Sequence, residues 1–231
     1  MNFTIGVKLT ASFFAIFLLT AVFGIYSLVT TQQALQEAVG QASIFLARDQ
    51  IERIDKDIFL KIEHIQLYSR GAILQKTLSE SNQAFEELGS EYISQKDSDW
   101  VSAPEDVITP FMQELIENEV SDDLREQFIA FLERKYGSRV YGEAFVTNKY
   151  GANIAQTGKT SDYYQADEKW WQAAKDKGFF VGEVEYDESA GVWTMPFGVR
   201  IDDNEGNFLG VIKAIPHVQE IISEIELTTQ K

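Results

Sequence analysis

Hydrophobic positions follow three different patterns along this chain, and the first is a long, mainly apolar run without charged residues. From Leu9 to Val29 there is no charged residue, and Phe, Leu, Ile, Val and Ala dominate. About 20 such residues, rising about 1.5 Å each, span the hydrocarbon core of a bilayer. A secretory signal peptide would have a shorter apolar region and a small-x-small cleavage site, and no convincing site follows. Residues 1–30 are therefore predicted to be a cytoplasmic N-terminus and an uncleaved transmembrane helix.

The second pattern, from Thr31 to Ser69, is that of a long amphipathic helix. Apolar residues recur at steps of three and four and form one stripe, with charged residues between them. The stripe consists of Leu35, Val39, Ala42, Leu46, Ile51, Ile54, Ile58, Ile62 and Ile65. It can pack on the following globular part, or pair with the same helix in a homodimer, and both can hold at once. Arg70-Gly71 is predicted to interrupt this helix.

Shorter helices are predicted to complete a helical region over residues 31–137. The predicted helix starts are Ser81, Thr109-Pro110 and Ser121-Asp122-Asp123, because each places a hydroxyl or carboxylate side chain at an N-terminus. Asp97–Glu105 is predicted to be a polar connection, and Gly137 to end the last helix of this region.

The third pattern, over residues 138–231, consists of short β-rich runs punctuated by turns. The predicted strands are 140–147, 153–156, 179–186, 192–201 and 208–216. A short helix is predicted at about Glu168 to Asp176, and a closing helix at His217 to Thr229. Two strands, a loop with a helix, then three strands is the order of a PAS-like antiparallel sheet. The predicted fold class is therefore α+β, with a membrane helix, a helical stalk, additional helices and a five-stranded antiparallel sheet.

Charge and composition restrict the partners and the location of the chain. All 36 acidic residues and all but one of the 20 basic residues follow the apolar run, and there is no cysteine. Nucleic acid and anionic lipid are therefore poor partners, and a disulfide framework is excluded. Because Lys8 precedes the apolar run and a heavily acidic stretch follows it, the positive-inside rule places residues 31–231 outside the membrane, in the periplasm or extracellular space.

Three short motifs resemble one family of sensor domains. They are Phe145–Gly151, a hairpin of the form apolar-apolar-Thr/Asp-x-x-Gly; Glu168–Ala174, a Trp-aromatic-x-x-Ala helix; and Gly206–Ile212, a closing Gly-x-x-x-Gly-apolar strand. In this order, behind an anchor and a long helix, they resemble the extracytoplasmic Cache (PDC, PAS-like) domains of histidine kinases and chemoreceptors. The resemblance covers roughly Tyr141 to Ile222.

The resemblance implies a small-molecule site beside the aromatic segment. Members that bind amino acids generally place an Arg two residues before the Trp, where it pairs with the ligand carboxylate. This chain has Glu168 at that position, so this ion pair is missing. A cationic or amine ligand is predicted instead, paired with Asp187 or Glu168 and enclosed by rings. The predicted ligand-binding residues are Tyr163, Tyr164, Glu168, Trp170, Trp171, Tyr186 and Asp187. A regular helix cannot turn both Trp170 and Trp171 to the pocket, so at least one belongs to the core, and Asp187 alternatively starts a turn.

The predicted function is the sensing region of a transmembrane receptor, in which a ligand stabilises one arrangement of Ser161–Ala174 and shifts the long helix in a dimer. Two alternatives remain, a membrane-anchored extracellular enzyme and a structural surface protein. An enzyme is not expected, since no phosphate loop, nucleophile elbow or cysteine nucleophile is present. No kinase, cyclase or methyl-accepting module precedes Lys231. The expectation is either a receptor cut short at this point or a protein that continues into a second, membrane-proximal Cache subdomain.

No metal or cofactor is predicted. His64 and His217 lie in separate helices without a zinc-helix glutamate, and His64 is expected to be structural or exposed. Asp202-x-Asn204-x-Gly206 matches part of a calcium loop, but the twelfth-position carboxylate is absent, so a plain β-turn is expected.

Overall fold

The computed structural model describes residues 4–187 and 192–218, and it confirms the α+β class. The helices are α1 (Ile5–Tyr68), α2 (Ala72–Ser102), α3 (Pro110–Ile116), α4 (Glu119–Leu124), α5 (Phe131–Tyr136) and α6 (Lys169–Lys177), with a π-helical segment, Arg125–Ala130, between α4 and α5. The strands are β1 (Tyr141–Asn148), β2 (Asn153–Gln156), β3 (Phe179–Val181), β4 (Glu185–Asp187), β5 (Val192–Thr194), β6 (Phe197–Asp202) and β7 (Phe208–Pro216).

The chain divides into two compact units, Met1–Arg53 and Ile54–Lys231. The first unit contains the N-terminal part of α1, including the predicted membrane span. α1 is the one described helix long and apolar enough to cross a bilayer; its most apolar window has a mean hydropathy of 2.2, and none of that window is buried. Large apolar side chains such as Phe17 and Phe23 expose 68% and 73% of their surface, as lipid-facing side chains do.

Helix boundaries in the second unit follow the predictions in part. The interruption at Arg70-Gly71 is confirmed, because α1 ends at Tyr68 and α2 begins at Ala72. Thr109 caps α3 as predicted, accepting a hydrogen bond from the Met112 backbone nitrogen at 3.3 Å. Gly137 also ends α5 as predicted, with a left-handed φ of 77°.

Three helix predictions are wrong. Ser81 does not cap a helix, since α2 runs through it and its hydroxyl accepts a hydrogen bond from Asn148 Nδ2. Asn118 caps α4 in place of Ser121, whose backbone nitrogen donates to Asn118 Oδ1 at 2.9 Å. α2 continues through most of the predicted connection Asp97–Glu105 and ends only at Ser102, because Trp100 is buried at 2% exposure.

The main sheet is antiparallel and contains five strands in the order β2-β1-β7-β6-β3, while β4 and β5 form a separate two-stranded ribbon. The predicted five-stranded PAS-like sheet is therefore present, and β2 and β7 have the predicted bounds. The predicted strands 179–186 and 192–201 each split in two. Pro196 has no N–H to contribute to the ladder, so the opposed Gly182 and Pro196 share only the Gly182 N to Pro196 O bond, 2.8 Å long. Beyond this pair the chain leaves the sheet and forms the ribbon.

The two faces of the sheet have different coverings. Alternate residues such as Ala144, Val146 and Ile212 pack with α1, α2 and α4 in the largest core cluster, to which Ile65 of α1 contributes a fully buried side chain. The opposite face carries Phe145 and Val211, which pack against α6. The predicted closing helix His217–Thr229 lies almost wholly outside the described residues.

Candidate functional site

Five residues form one row across the sheet, on the face that α6 covers. Phe145 is opposite both Gln156 and Lys213, Lys213 is opposite Gly198, and Gly198 is opposite Phe180. Directly opposed residues of an antiparallel sheet project to the same face. The row therefore places the charged side chain of Lys213, in the middle strand β7, beside Phe145 on the face that α6 covers.

α6 lies close to this row because Gly198 has no side chain. A Cβ atom at Gly198 would lie 3.1 Å from Ala174 Cβ and 3.2 Å from Trp170 Cε3, closer than most such contacts. The absent side chain leaves room for the Trp170 ring, which is only 7% exposed and meets Phe145 edge-on at 5.8 Å. The glycine thus sets the distance between the helix and the sheet.

The ammonium group of Lys213 rests over aromatic rings. Its Nζ lies 4.6 Å from the Trp170 ring centroid and 5.6 Å from that of Phe145. None of the residues that the structure describes makes a hydrogen bond or ion pair with this Nζ. Burial lowers the pKa of Lys213, against the opposing effect of nearby carboxylates. Cation–π contact is therefore the direct interaction that holds this cation among the described residues.

Four carboxylates surround Lys213 at electrostatic range. They are Glu143, Glu168, Glu185 and Asp162, and each acts to raise the pKa of Lys213. Asp162 is half-buried, and burial raises its own pKa, while hydrogen bonds from Ser161 and Gln165 act to lower it. The site thus combines one cation, two ring faces and an excess of negative charge.

The side-chain amide of Gln156, at the β2 end of the row, is buried without a hydrogen-bond partner among the described residues. Its side chain is fully buried, and neither amide atom has a hydrogen-bond partner in the described part of the chain. Asn153 Oδ1, on the same strand, is also buried and accepts no hydrogen bond from the described residues. A buried polar group without a partner costs about 1–3 kcal/mol. This end of the sheet therefore carries polar groups that the side chains of the described residues do not satisfy.

Both tryptophans of α6 belong to the core, but only Trp170 contacts Lys213. Trp171 is 3% exposed, and its Nε1 donates a hydrogen bond to Thr147 Oγ1 at 2.7 Å. It also borders a separate cleft of about 440 Å³ that Lys149 and Lys175 line. The expectation that at least one of the two rings belongs to the core agrees with this geometry.

Tyr163 and Tyr164 lie in a different part of the unit from Lys213. Tyr163 is 2% exposed and packs on Trp100 and Phe111, with ring centroids 6.0 and 5.2 Å away. The backbone nitrogens of both tyrosines donate to Asp97 Oδ1, at 3.0 and 2.9 Å. The loop that was predicted to line the pocket is therefore fixed to the end of α2 at this point.

The remaining predicted site residues lie at the edge of the Lys213 site. Glu168 is exposed and is the N-cap residue of α6, without a side-chain hydrogen bond to the helix. Tyr186 is 51% exposed and contacts Trp193 across the ribbon, with ring centroids 5.4 Å apart. Asp187 pairs with Val192 in the same ribbon. Of the predicted set, the structure brings Trp170 and Glu168 together around Lys213, and the ligand-binding roles of the set stay predictions.

Sequence reasoning missed Lys213, Phe145, Gln156 and Asp162 as parts of this site. A signal for Lys213 was present, since it is the one charged residue in the strand Phe208–Pro216 and has the same parity as Val211. A lone cation at an inward-facing strand position is uncommon and indicates a specific partner. Gln156 gave no comparable signal, because its environment depends on the bulge between Val146 and Thr147.

The described residues contain no group of three or more metal-ligating side chains. His64 is half-buried, with its ring centroid 5.2 Å from that of Phe128.

The turn predicted at Asp202–Gly206 is confirmed. Asp203 N donates to Asn207 O at 2.9 Å, and Gly206 has a φ of 86°.

No protein-family model matches the sequence, and a search of curated proteins gives no match. Among solved structures, similar ones include the ligand-binding domain of the Pseudomonas aeruginosa PAO1 amino acid chemoreceptor PctC in complex with GABA. It is 13% identical over 64% of this chain and 59% of that one, with a TM-score of 0.33. The sensor domain of the V. cholerae histidine kinase DctB is 10% identical over 78% of this chain and 58% of that one, with a TM-score of 0.39.

A third similar structure is the ligand-binding domain of the Campylobacter jejuni chemoreceptor Tlp3 in complex with 4-methylisoleucine. It is 13% identical over 64% of this chain and 57% of that one, with a TM-score of 0.33. The similar structures are thus sensor domains of chemoreceptors and a histidine kinase, the class that the motifs predicted. The chain covers less than two thirds of the length of each of these three structures.

Proposed function

We propose that this chain is the extracytoplasmic, small-molecule-sensing region of a membrane-anchored receptor, with its ligand bound at the Lys213 site. The observation that carries the proposal is the cation of Lys213, held over the Trp170 and Phe145 rings and surrounded by carboxylates. A purely structural lysine of a sheet would pair with one carboxylate or extend into solvent. A cation that rests on rings, without an ion-pair partner among the described residues, instead marks a surface with affinity for positive groups.

The ligand that fits this surface carries an amine. Four carboxylates against one ammonium leave the site negative, and a ring face that holds the Lys213 ammonium is equally suited to a ligand ammonium. The incoming amine displaces the Lys213 side chain from the Trp170 ring and pairs with the carboxylates. Glu168, at the exposed edge of the site, is the predicted first contact of the ligand.

α1 supports the membrane-anchored part of the proposal. Its apolar stretch Leu9–Val29 is exposed apart from one half-buried position, Ala21, as a span facing lipid would be. Lys8 precedes the stretch, which supports a cytoplasmic N-terminus and, in the proposal, a location of residues 31–231 outside the membrane. The same helix contributes Ile65 to the core cluster on the other face of the sheet from Lys213.

Signalling then requires that the ligand bind two arrangements of the site with different affinity. In the proposed mechanism, displacement of Lys213 changes how α6 rests on the sheet, and the sheet passes the change to α1 through the core cluster. The exposed apolar side chains Leu35, Val39 and Leu46 of α1 support pairing with a second copy. A shift of α1 relative to its partner helix would carry the signal.

A thermal-shift screen of the full chain in neutral-lipid nanodiscs tests the proposal. The panel contains primary amines, amino acids and carboxylates, each recovered afterwards and analysed by mass spectrometry. The proposal expects amine-bearing compounds to raise the unfolding temperature and to be recovered unchanged. Turnover of a compound would instead support the anchored-enzyme alternative. No stabilisation by any amine-bearing compound would contradict the sensing function.

A further inference from the structure

A second polar cleft lies where α1 ends, away from the Lys213 site. It has a volume of about 420 Å³ and is bounded by the turn between α1 and α2 and by the connection between β6 and β7. Its lining includes Arg70 from the turn and Arg200 from β6. Gln75 of α2 connects the two walls, because its Nε2 donates to Ser69 O at 3.3 Å and to Asp202 O at 3.1 Å.

The acidic side chains of this cleft are already engaged. Asp202 Oδ1 accepts a hydrogen bond from Arg200 Nε at 2.7 Å. Asp203 Oδ1 accepts from the backbone nitrogens of Glu205 and Asn207, both at 2.8 Å, and its Oδ2 from Asn207 Nδ2 at 2.9 Å. These bonds lower the pKa of Asp203, so it stays ionised and directed into its own loop. Neither carboxylate is paired with Arg70.

The guanidinium groups therefore leave donors unused. Arg70 makes no side-chain hydrogen bond or ion pair with the residues that the structure describes. Arg200 uses Nε for Asp202 and Nη1 for Lys175 O, at 2.7 Å, while its Nη2 has no acceptor in the described ranges. A guanidinium has five N–H donors in a planar fork that matches a carboxylate or phosphate group. The Arg70 fork and Nη2 of Arg200, both without a partner among the described residues, offer donors to one oxyanion in this cleft.

We propose that this cleft binds an oxyanion, a carboxylate or phosphate group, between Arg70 and Arg200. Of the two arginines and two aspartates that line the cleft, Arg70 is the cation without a carboxylate partner among the described residues. A bound anion joins the turn after α1 to strand β6, and so fixes the end of α1 against the sheet. The anion is thus a second input to α1, independent of an amine at Lys213.

The test measures oxyanion binding to the full chain in phosphatidylcholine nanodiscs by calorimetry and thermal shift. The probes are phosphate, sulfate and succinate, with succinamide as the uncharged analogue and sodium chloride at matched ionic strength. Concentrations stay below about 10 mM, because concentrated sulfate and phosphate stabilise most proteins non-specifically. Arg70→Gln removes the free fork, and Arg134→Gln, which removes an exposed arginine paired with Glu126, is the matched control.

Binding of at least one oxyanion to the wild type, weakened about tenfold or more in Arg70→Gln and unchanged in Arg134→Gln, supports the proposal. Equal binding to all three proteins, or binding of succinamide as tightly as succinate, overturns it, as does the absence of oxyanion binding. Nanodiscs containing phosphatidylglycerol distinguish a lipid source. If they stabilise the wild type but not Arg70→Gln without added anion, the oxyanion is a lipid phosphate.

Discussion

Lys213 Nζ lies 4.6 Å from the centroid of the Trp170 ring, so the middle strand of the sheet and helix α6 share one cation–π contact. Trp170 is also packed against Phe145 and beside Gly198, so its ring fills the space between the helix and the sheet. The position of α6 is therefore tied to the cation that occupies this ring face.

Replacing Lys213 with Met should tighten amine binding. The substitution removes the cation that competes for the ring face, and it makes the net charge of the site more negative. We expect an affinity about tenfold higher for the amines that bind the wild type, measured by calorimetry on the full chain.

Lys175→Met is the matched control, since Lys175 also lies over rings, 5.2 Å from that of Trp171 and 5.5 Å from that of Phe208. It should leave amine affinity unchanged. Weaker amine binding in Lys213→Met would show that Lys213 contacts the ligand directly and would contradict its role as a competitor.

Gln156→Met should stabilise the protein. Neither amide atom of the fully buried side chain has a hydrogen-bond partner in the described part of the chain, and an apolar side chain of similar size removes that cost. We expect a gain of about 1 kcal/mol in the free energy of unfolding, from urea titrations followed by tryptophan fluorescence.

Gln165→Met provides the contrast. Gln165 is also buried, but its Nε2 donates to Asp162 O at 3.1 Å, so its loss should destabilise the protein. A loss of stability in Gln156→Met as large as in Gln165→Met would mean that the Gln156 amide is satisfied in solution.

The sequence predicted the elements whose pattern is local and missed those that depend on distant contacts. β2 and β7 have the predicted bounds because their apolar runs end at turn residues. Ser81 failed as a cap because Asn148, distant in sequence, uses its hydroxyl. The split of residues 179–186 depends on Pro196, which opposes Gly182 only once the sheet has formed.

The same difference between local pattern and distant contact applies to the Lys213 site. The aromatic segment identified Trp170, because its composition is unusual in itself. Lys213 follows Trp170 by many residues, and only the strand register places it on the same face as Phe145. The sequence shows which side chains are unusual, but register and bulges decide which of them meet.

Gly198→Ala should separate α6 from the sheet. The added methyl group would lie 3.1 Å from Ala174 Cβ and 3.2 Å from Trp170 Cε3, and neither neighbour is a flexible chain end. We expect a loss of about 1–3 kcal/mol in the free energy of unfolding, together with weaker amine binding. Gly158→Ala is the control, since a Cβ there meets no atom within 4 Å. Equal stability of the two variants would show that α6 is not held at this distance.

His64 should make the stability of the second unit depend on pH. Burial against Phe128, with Lys135 and Lys61 nearby, lowers the pKa of His64 below its usual 6.5. The unfolded chain therefore binds a proton more readily, and the stability that neutral His64 contributes is lost as the pH falls below about 6.5. In His64→Gln, the part of the acid-induced loss due to His64 should disappear. Urea titrations at pH 7.5 and 5.5 check this, and identical pH dependence in both proteins would contradict it.

The most direct measurement is calorimetric titration of the full chain, in neutral-lipid nanodiscs, with the amines identified in the screen. It compares the wild type with Trp170→Leu, which keeps apolar bulk but removes the ring face, and with Trp193→Leu, which changes an exposed ring of the ribbon. Near-UV circular dichroism confirms that each variant is folded. We predict that amines bind the wild type and Trp193→Leu with equal affinity, and that they bind Trp170→Leu at least about tenfold more weakly. Equal affinity in all three folded proteins would contradict it.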